Sequence, residues 1–161
     1  MFHPEHTWRK TPFHLWQLYF RLGWSERVRG LHYWLGFEYA LILDRMRLEP
    51  DSRVLDVGTG AYSVFPYLAD HLFDIQMTAI DIGHGIRRLA GIRESAAVRV
   101  GLCKPDQVHL LRADARSLPF LAETFDAVNA VSVLKLFPNR KDAGQTLAEA
   151  ARVLRPGGRF G

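Results

Sequence analysis

The sequence predicts an α/β fold: a doubly wound, mainly parallel sheet with helices on both faces, preceded by N-terminal helices. Two observations support this prediction. From Arg53 onward, short apolar runs alternate with stretches of helical periodicity, which is typical of strand–helix–strand units. In addition, three of the apolar runs end at or beside an aspartate, which places carboxylates where buried strands end. Right-handed crossovers then leave few possible topologies.

Each element follows from its local pattern. Strands are predicted at residues 54–57, 75–80, 108–112 and 125–131, and Arg159-Phe160 opens a fifth strand. Helices are predicted at residues 61–72, 85–93 and 142–154. The turn Arg155-Pro156-Gly157-Gly158 is predicted to end the last helix, because proline and glycine do not continue one. Residues 117–124 are predicted to be irregular, since Pro119 lies among them.

The first fifty residues differ in composition from the rest of the chain. They contain all four tryptophans, and apolar residues recur at helical spacing in residues 13–22 and 27–48. Pro50 then interrupts the helical pattern. We therefore predict an aromatic-rich helical lid or cap in residues 1–50 and one α/β domain in residues 51–161.

Composition excludes several classes of protein. A single cysteine, Cys103, excludes an intramolecular disulfide framework and a cysteine-rich zinc site. No apolar run reaches the length of about 18 residues that a membrane span needs, and no secretory signal is visible, so a cytoplasmic protein is expected. The net charge is +4, but the basic residues are dispersed, and no nucleic-acid partner is expected. The sequence leaves the oligomeric state open.

The most informative segment is Val54-Leu55-Asp56-Val57-Gly58-Thr59-Gly60. A strand that runs into Gly-x-Gly before a helix lets the backbone approach a ligand closely. Asp56 lies where a dinucleotide-binding turn usually has an apolar residue, because a nearby phosphate would repel a carboxylate. A carboxylate there favours a ligand with positive charge, such as the ammonium and sulfonium of S-adenosylmethionine.

Two further aspartates follow the next two strands. Asp81 ends the second strand, where its carboxylate can accept both hydroxyls of a ribose. Asp114 follows the third strand and can accept from an exocyclic adenine amine. Ligands of open α/β sheets bind at this carboxyl edge. Each aspartate also has a purely structural explanation as a helix N-cap.

Four segments together resemble class I S-adenosylmethionine-dependent methyltransferases of the small-molecule type. They are VLDVGTG at residues 54–60, AIDI at 79–82, ADARSLPF with FDAV at 113–128, and EAARVLRPGGRF at 149–160. The resemblance implies a Rossmann-like domain that binds S-adenosylmethionine and methylates a small-molecule acceptor. It further implies that the C-terminal strands of the family fold are missing here, so the domain is incomplete.

The resemblance also implies a role for each matching position. Asp56, Gly58 and Gly60 would hold the methionine part of the cofactor, and Ala130 is a weaker match to the same side. Asp81 would bind the ribose hydroxyls. The remaining matches, at the adenine, are Ile82, Asp114 and Ala115. No metal site and no catalytic base are assigned.

Departures from the family pattern keep two alternatives open. Lys135-Leu136 stands where many relatives carry a histidine pair, and Tyr62 replaces a frequent third glycine. A non-catalytic methyltransferase-like binding module would explain these departures. An NAD-dependent oxidoreductase is the other alternative, because Gly58-x-Gly60-x-x-Ser63 loosely imitates that fingerprint, although Asp56 and Asp114 argue against it.

Overall fold

The structure is a computed structural model that describes residues 41–43, 45–60, 74–84, 86, 108–131 and 133–161. Residues 41–43 and 45–46 are helical, which agrees with the end of the helix predicted at 27–48. The predicted helices 13–22 and 61–72, nearly all of the predicted helix 85–93, and most of the proposed lid lie outside the described residues. No helix in the described ranges is long and apolar enough to cross a membrane.

Five strands form one sheet in which every neighbouring pair is parallel. The sheet order is β3-β2-β1-β4-β5. The strands are β1 (Arg53–Val57), β2 (Gln76–Asp81), β3 (Val108–Arg112), β4 (Phe125–Asn129) and β5 (Leu154–Phe160). The chain builds outward from β1 to β3 and then returns to the other side of β1, so the order reverses between β1 and β4. Ligands of doubly wound sheets bind at such a reversal.

Alternate residues of β1 face two separate hydrophobic clusters, one on each side of the sheet. Val54 packs with Leu43 and Met46 of the helical segment before β1. On the opposite face, Leu55 and Val57 belong to the cluster that contains the helix α1 (Arg140–Val153). Four consecutive residues of β1 are buried, as expected for a central parallel strand covered on both faces. These contacts confirm the predicted α/β class.

The start of β5 corrects the sequence prediction. Helix α1 ends at Val153, and Leu154 already has extended dihedral angles and pairs with Phe125. The register then shifts, because the four residues 155–158 lie opposite the single residue Asp126 before Arg159 pairs with Ala127. The predicted turn is therefore an irregular part of a strand that begins five residues earlier than expected. Proline and glycine are tolerated at such bulges.

The ends of two other elements also differ from prediction. β4 ends at Asn129 rather than residue 131, although the Ala130 backbone N–H still donates to the Gly161 carbonyl at 2.8 Å. Helix α1 begins at Arg140, two residues earlier than predicted. Its N-cap is Asn139, whose side-chain oxygen accepts from the Asp142 backbone N–H at 2.8 Å.

The loop between β3 and β4 is attached to the last turn of α1. Glu149 Oε2 accepts from the Leu118 backbone N–H at 2.7 Å, and Arg152 donates to the Phe120 and Leu118 carbonyls at 2.8 and 3.0 Å. The Thr124 backbone N–H donates to the Val153 carbonyl at 2.8 Å. This loop is irregular, as predicted, and its backbone polar groups find partners on the helix.

Candidate functional site

The glycine turn after β1 contains two residues with positive φ. Gly58 has φ +69° and Gly60 has φ +71°. Residues other than glycine rarely adopt this region of backbone conformation. A Cβ atom on Gly58 would lie 2.4 Å from Val133 Cγ2, so the backbone passes close to the segment after β4. Among the described residues, a Cβ atom on Gly60 would meet nothing within 4 Å. Gly58 therefore permits close packing against Val133, whereas Gly60 has no such described neighbour.

Asp81 joins this turn to the end of β2. One carboxylate oxygen of Asp81 accepts from the Gly60 backbone N–H at 2.9 Å, and the other accepts from the Gly83 backbone N–H at 2.7 Å. Two backbone donors thus fix the orientation of the carboxylate. With these two donors among the described residues, each oxygen retains a lone pair, because a carboxylate offers about four acceptor positions. The half-buried Asp81 can therefore accept two more hydrogen bonds from a ligand.

A cavity of about 340 Å³ opens at the carboxyl edge of the sheet and brings together five of the eight predicted residues. They are Gly58, Asp81, Ile82, Asp114 and Ala115. The cavity wall is completed by Ile80, Ala113, Arg116, Val133, Leu136, Phe137, Pro138 and Asp142. Apolar side chains at the mouth are unusually accessible, since Ile82 is 57% and Leu136 75% exposed. Carboxylates and an accessible apolar surface therefore share one cavity.

The other three predicted residues lie behind this cavity. Asp56 is only 3% exposed and pairs in register with Asn129 of β4, whose side-chain amide donates to the Asp56 carboxylate. Burial raises the pKa of Asp56 to about 6, although the hydrogen bond from the Asn129 side-chain amide opposes this rise. Asn129 Oδ1 is itself buried and has no hydrogen-bond partner among the described residues. Gly60 and the buried Ala130 do not line the cavity either.

Asp114 occupies a very different environment, although it also follows a strand of the same sheet. Its side chain is 33% exposed and is paired with Arg116 Nη2 at 2.7 Å. The Arg116 side-chain hydrogen bonds are the main cause that holds the pKa of Asp114 below its usual value, and the Arg116 backbone N–H adds to them. Asp114 is therefore an ionised acceptor at the cavity wall.

Sequence reasoning missed several residues of the site. Asn129 was not assigned, although its place at the end of the strand beside β1 is where a polar residue could meet Asp56. Arg116 was not assigned either, although the Asp-x-Arg spacing is a usable signal. The Arg116 backbone N–H donates to Asp114 Oδ1 at 2.9 Å, which closes a local turn. The apolar wall residues Val133, Leu136 and Phe137 carried no motif.

A larger cavity, of about 730 Å³, lies at the opposite, amino edge of the sheet. Its wall includes Arg53, Gln76 and Arg155 and the turn before β1, and it contains none of the eight predicted residues. The position of a carboxylate at a strand end therefore identifies the candidate site better than cavity volume does.

Comparison with known proteins identifies the family of this chain. A family model described as a methyltransferase domain matches residues 55–161. The sterol 4-C-methyltransferase strm-1 of Caenorhabditis elegans is 30% identical over 136 residues, covering 84% of this chain and 36% of that protein. The demethylmenaquinone methyltransferase of Renibacterium salmoninarum is 30% identical over 120 residues, covering 74% of this chain and 44% of that protein. This chain thus spans less than half the length of both relatives.

Solved structures show the same fold. The YcgJ protein of Bacillus subtilis has 27% sequence identity and a TM-score of 0.59, covering 76% of this chain and 47% of that protein. The [4+2]-cyclase SpnF has 29% identity and a TM-score of 0.64, covering 75% of this chain and 41% of that protein.

The family-model match extends from β1 through β5 and includes all eight predicted positions. It favours S-adenosylmethionine over the nicotinamide alternative and agrees with the predicted cofactor. The individual binding roles of the eight residues stay predictions. By its sequence and its strand order, the chain belongs to the methyltransferase-domain family.

Proposed function

We propose that this chain binds S-adenosylmethionine at the carboxyl edge of the sheet and supplies the cofactor site of an enzyme that methylates a small molecule. The single observation that carries the proposal is the convergence of Gly58, Asp81 and Asp114 on one cavity at the edge where doubly wound sheets bind ligands. Bound S-adenosylmethionine supplies an electrophilic methyl group on a sulfonium.

The ribose fits best beside Asp81. Its carboxylate is fixed by the backbone N–H groups of Gly60 and Gly83, so its remaining lone pairs are preorganised for two hydroxyl donors. The same bonds connect the ribose position to the glycine turn. We therefore assign Asp81 the largest share of cofactor binding.

The adenine fits between Ile82 and the segment after β3. Ile82 offers an exposed apolar side chain on which a flat ring can pack. Asp114 offers an ionised acceptor for the exocyclic amine, and Ala115 lies beside it in the cavity wall. A flat apolar ring that carries one donor group matches this combination.

The methionine end fits at the glycine turn. No described residue lies within 4 Å of a Cβ atom on Gly60, which leaves space beside the turn in the described part of the chain, and the buried Asp56 precedes the turn in β1. A positively charged ammonium or sulfonium in that space would be attracted by the ionised Asp56 carboxylate. The unpartnered Asn129 Oδ1 beside Asp56 adds a second acceptor in the same polar pair, and Ala130 follows it at the end of β4.

The chain's contribution to methyl transfer is alignment of the reactants and exclusion of water. Val133, Leu136 and Phe137 form an apolar wall beside the carboxylates, which restricts access of water to the cavity. The exposed Leu136 favours an apolar part in the acceptor. Relatives named as sterol and demethylmenaquinone methyltransferases are consistent with such an acceptor.

The lid in residues 1–50 stays a prediction, because of this range the structure describes only the end of the helix before β1 and the turn that follows it. This helix ends at Met46, and the following turn leads to the amino end of β1. A Cβ atom on Gly161, beyond the end of β5, would lie 2.7 Å from Ile42 Cγ2 and 2.9 Å from Met46 Cε, so the end of this helix packs close to Gly161. The cytoplasmic location and the lack of a nucleic-acid partner remain predictions.

Calorimetric titration of the 161-residue chain with S-adenosylmethionine, S-adenosylhomocysteine and NAD tests the proposal. We expect the first two ligands to bind and NAD not to bind. Asp81→Ala should abolish binding, whereas Asp51→Ala, which removes a carboxylate at the amino edge, should leave it unchanged. Failure of both S-adenosylmethionine and S-adenosylhomocysteine to bind a folded chain would contradict the proposal.

Release of S-adenosylhomocysteine in the presence of apolar hydroxyl or carbon acceptors then tests catalysis. We expect release above the rate without acceptor. Cofactor binding without transfer to any member of a panel of sterols, quinols and phenols would favour the non-catalytic binding module.

A further inference from the structure

The Arg116 guanidinium bridges two carboxylates of the cavity wall. Arg116 Nε lies 3.0 and 3.2 Å from the two Asp114 oxygens, and Nη2 lies 2.7 Å from Asp114 Oδ2. Arg116 Nη1 donates to Asp142 Oδ2 at 3.2 Å. The three side chains therefore form a continuous Asp114–Arg116–Asp142 bridge, and all three residues line the cavity.

The bridge connects two separate elements. Asp114 belongs to the loop after β3, and Asp142 lies in the first turn of α1. Asp142 is also fixed by the helix N-cap, since its backbone N–H donates to Asn139 Oδ1 at 2.8 Å. Arg116 thus ties the proposed adenine acceptor to a rigid helix terminus on the other side of the cavity wall.

The bonds of Arg116 restrict what Asp114 can do. A guanidinium donates in a fixed planar fork, so it selects one orientation of the carboxylate. A carboxylate bound in this way is an acceptor only. The backbone N–H, Nε and Nη2 of Arg116 all donate to it, which leaves about one of its four acceptor positions for a ligand. A ligand amine can donate to it, whereas a ligand carbonyl at the same position would be repelled.

We propose that Arg116 is a positioning residue that gives the cofactor site its preference for a 6-amino purine over a 6-oxo purine. It does so by holding the Asp114 carboxylate in one orientation at the cavity wall. This inference rests on the proposed function, because it assumes that the purine of the cofactor lies at Asp114. The lowered pKa of Asp114 is consistent with it.

The test compares two ligands that differ at the 6-position of the purine and, with it, in whether N1 carries a proton. S-adenosylhomocysteine carries the 6-amino group, and S-inosylhomocysteine carries an oxygen in its place. Both are titrated calorimetrically into the wild-type chain, Arg116→Ala and Arg116→Lys. Arg140→Ala is the matched control. Arg140 is an exposed arginine at the start of α1, the helix that contains Asp142, and it does not line the cavity.

We expect Arg116→Ala to weaken binding of the 6-amino ligand about tenfold and binding of the 6-oxo ligand less than about twofold. The reason is that only the amine donates to the oriented Asp114 carboxylate. Arg116→Lys keeps the charge but not the planar fork, so it should restore part of the preference. Arg140→Ala should leave both affinities at their wild-type values.

Three results would overturn the inference. An unchanged preference in Arg116→Ala, or an equal loss for both ligands, would show that Arg116 has no role in purine selection. Tighter binding of the 6-amino ligand by Arg116→Ala than by wild type would show that Arg116 competes with the adenine for Asp114. If the wild-type chain binds neither ligand, the proposed function fails, and this inference fails with it.

Discussion

Two aspartates at the carboxyl edge of the same sheet have opposite environments. Asp56, at the end of the central strand β1, is almost fully buried, and burial raises its pKa to about 6. Asp114, after the outer strand β3, is partly exposed and paired with Arg116, and its pKa is lowered. Position at a strand end therefore does not determine the charge of a carboxylate; the side chains around it do.

The comparison divides the carboxyl edge into two parts. We call the ends of β1 and β4 the centre, with Asp56, Gly58 and Asn129, and the ends of β2 and β3 the rim, with Asp81 and Asp114. Packing within the chain dominates at the centre, where side chains are buried. Hydrogen bonds to accessible groups dominate at the rim. Substitutions at the centre should therefore change stability more than equivalent substitutions at the rim.

The largest effect is expected from Gly58→Ala. Its positive φ and the contact of the new Cβ with Val133 should together lower the free energy of unfolding by about 3–4 kcal/mol, as measured by denaturant titration. Gly60→Ala is the matched control, because its φ is nearly the same and its Cβ would meet none of the described residues within 4 Å. It should cost about 1–2 kcal/mol. Equal losses in the two variants would argue against tight packing at the centre.

Asp56→Asn should reveal the cost of the buried charge. The folded pKa of about 6 lies above the usual value of 3.8, so the carboxyl contributes stability that is fully present below about pH 4 and is lost as the pH rises through 6. Asparagine does not titrate. Denaturant titrations should therefore show the variant gaining roughly 3 kcal/mol relative to wild type between about pH 4 and pH 7. A constant difference across that range would contradict the burial of an ionisable Asp56.

Asp114→Asn should change the pH dependence of stability in the opposite direction, and its effect should be the smallest of the three. Because the folded pKa is lowered, the carboxylate stabilises the fold above its usual pKa of 3.8, and this contribution is lost on further acidification. The variant should be less stable than wild type at neutral pH, and the gap should close in acid. Its size should be about a third or less of the Asp56 effect, because the ion pair is partly exposed. The same denaturant titrations measure this difference in the free energy of unfolding. A difference that widens in acid would refute the prediction.

Much of the fold and site could be predicted because the relevant signals are local. Apolar runs such as that of β1, each followed by a turn, identify the strands, and an aspartate at or beside a strand end identifies the carboxyl edge. Contacts such as Asn129 with Asp56 could not be predicted, because they join residues 73 positions apart and depend on strand register. The predicted start of β5 was wrong, because proline and glycine indicate an interruption without distinguishing a turn from a bulge.

The attachment of the loop after β3 to the last turn of α1 has a consequence for exchange of backbone amide hydrogens. Leu118 and Thr124 donate their amides to Glu149 and the Val153 carbonyl, so these amides are released only when the loop and the helix separate. Such groups open as one cooperative unit. A ligand that binds at Asp114 would therefore slow amide exchange at Thr124. Because Thr124 lies outside the cavity wall, its exchange rate would report ligand binding from a distance.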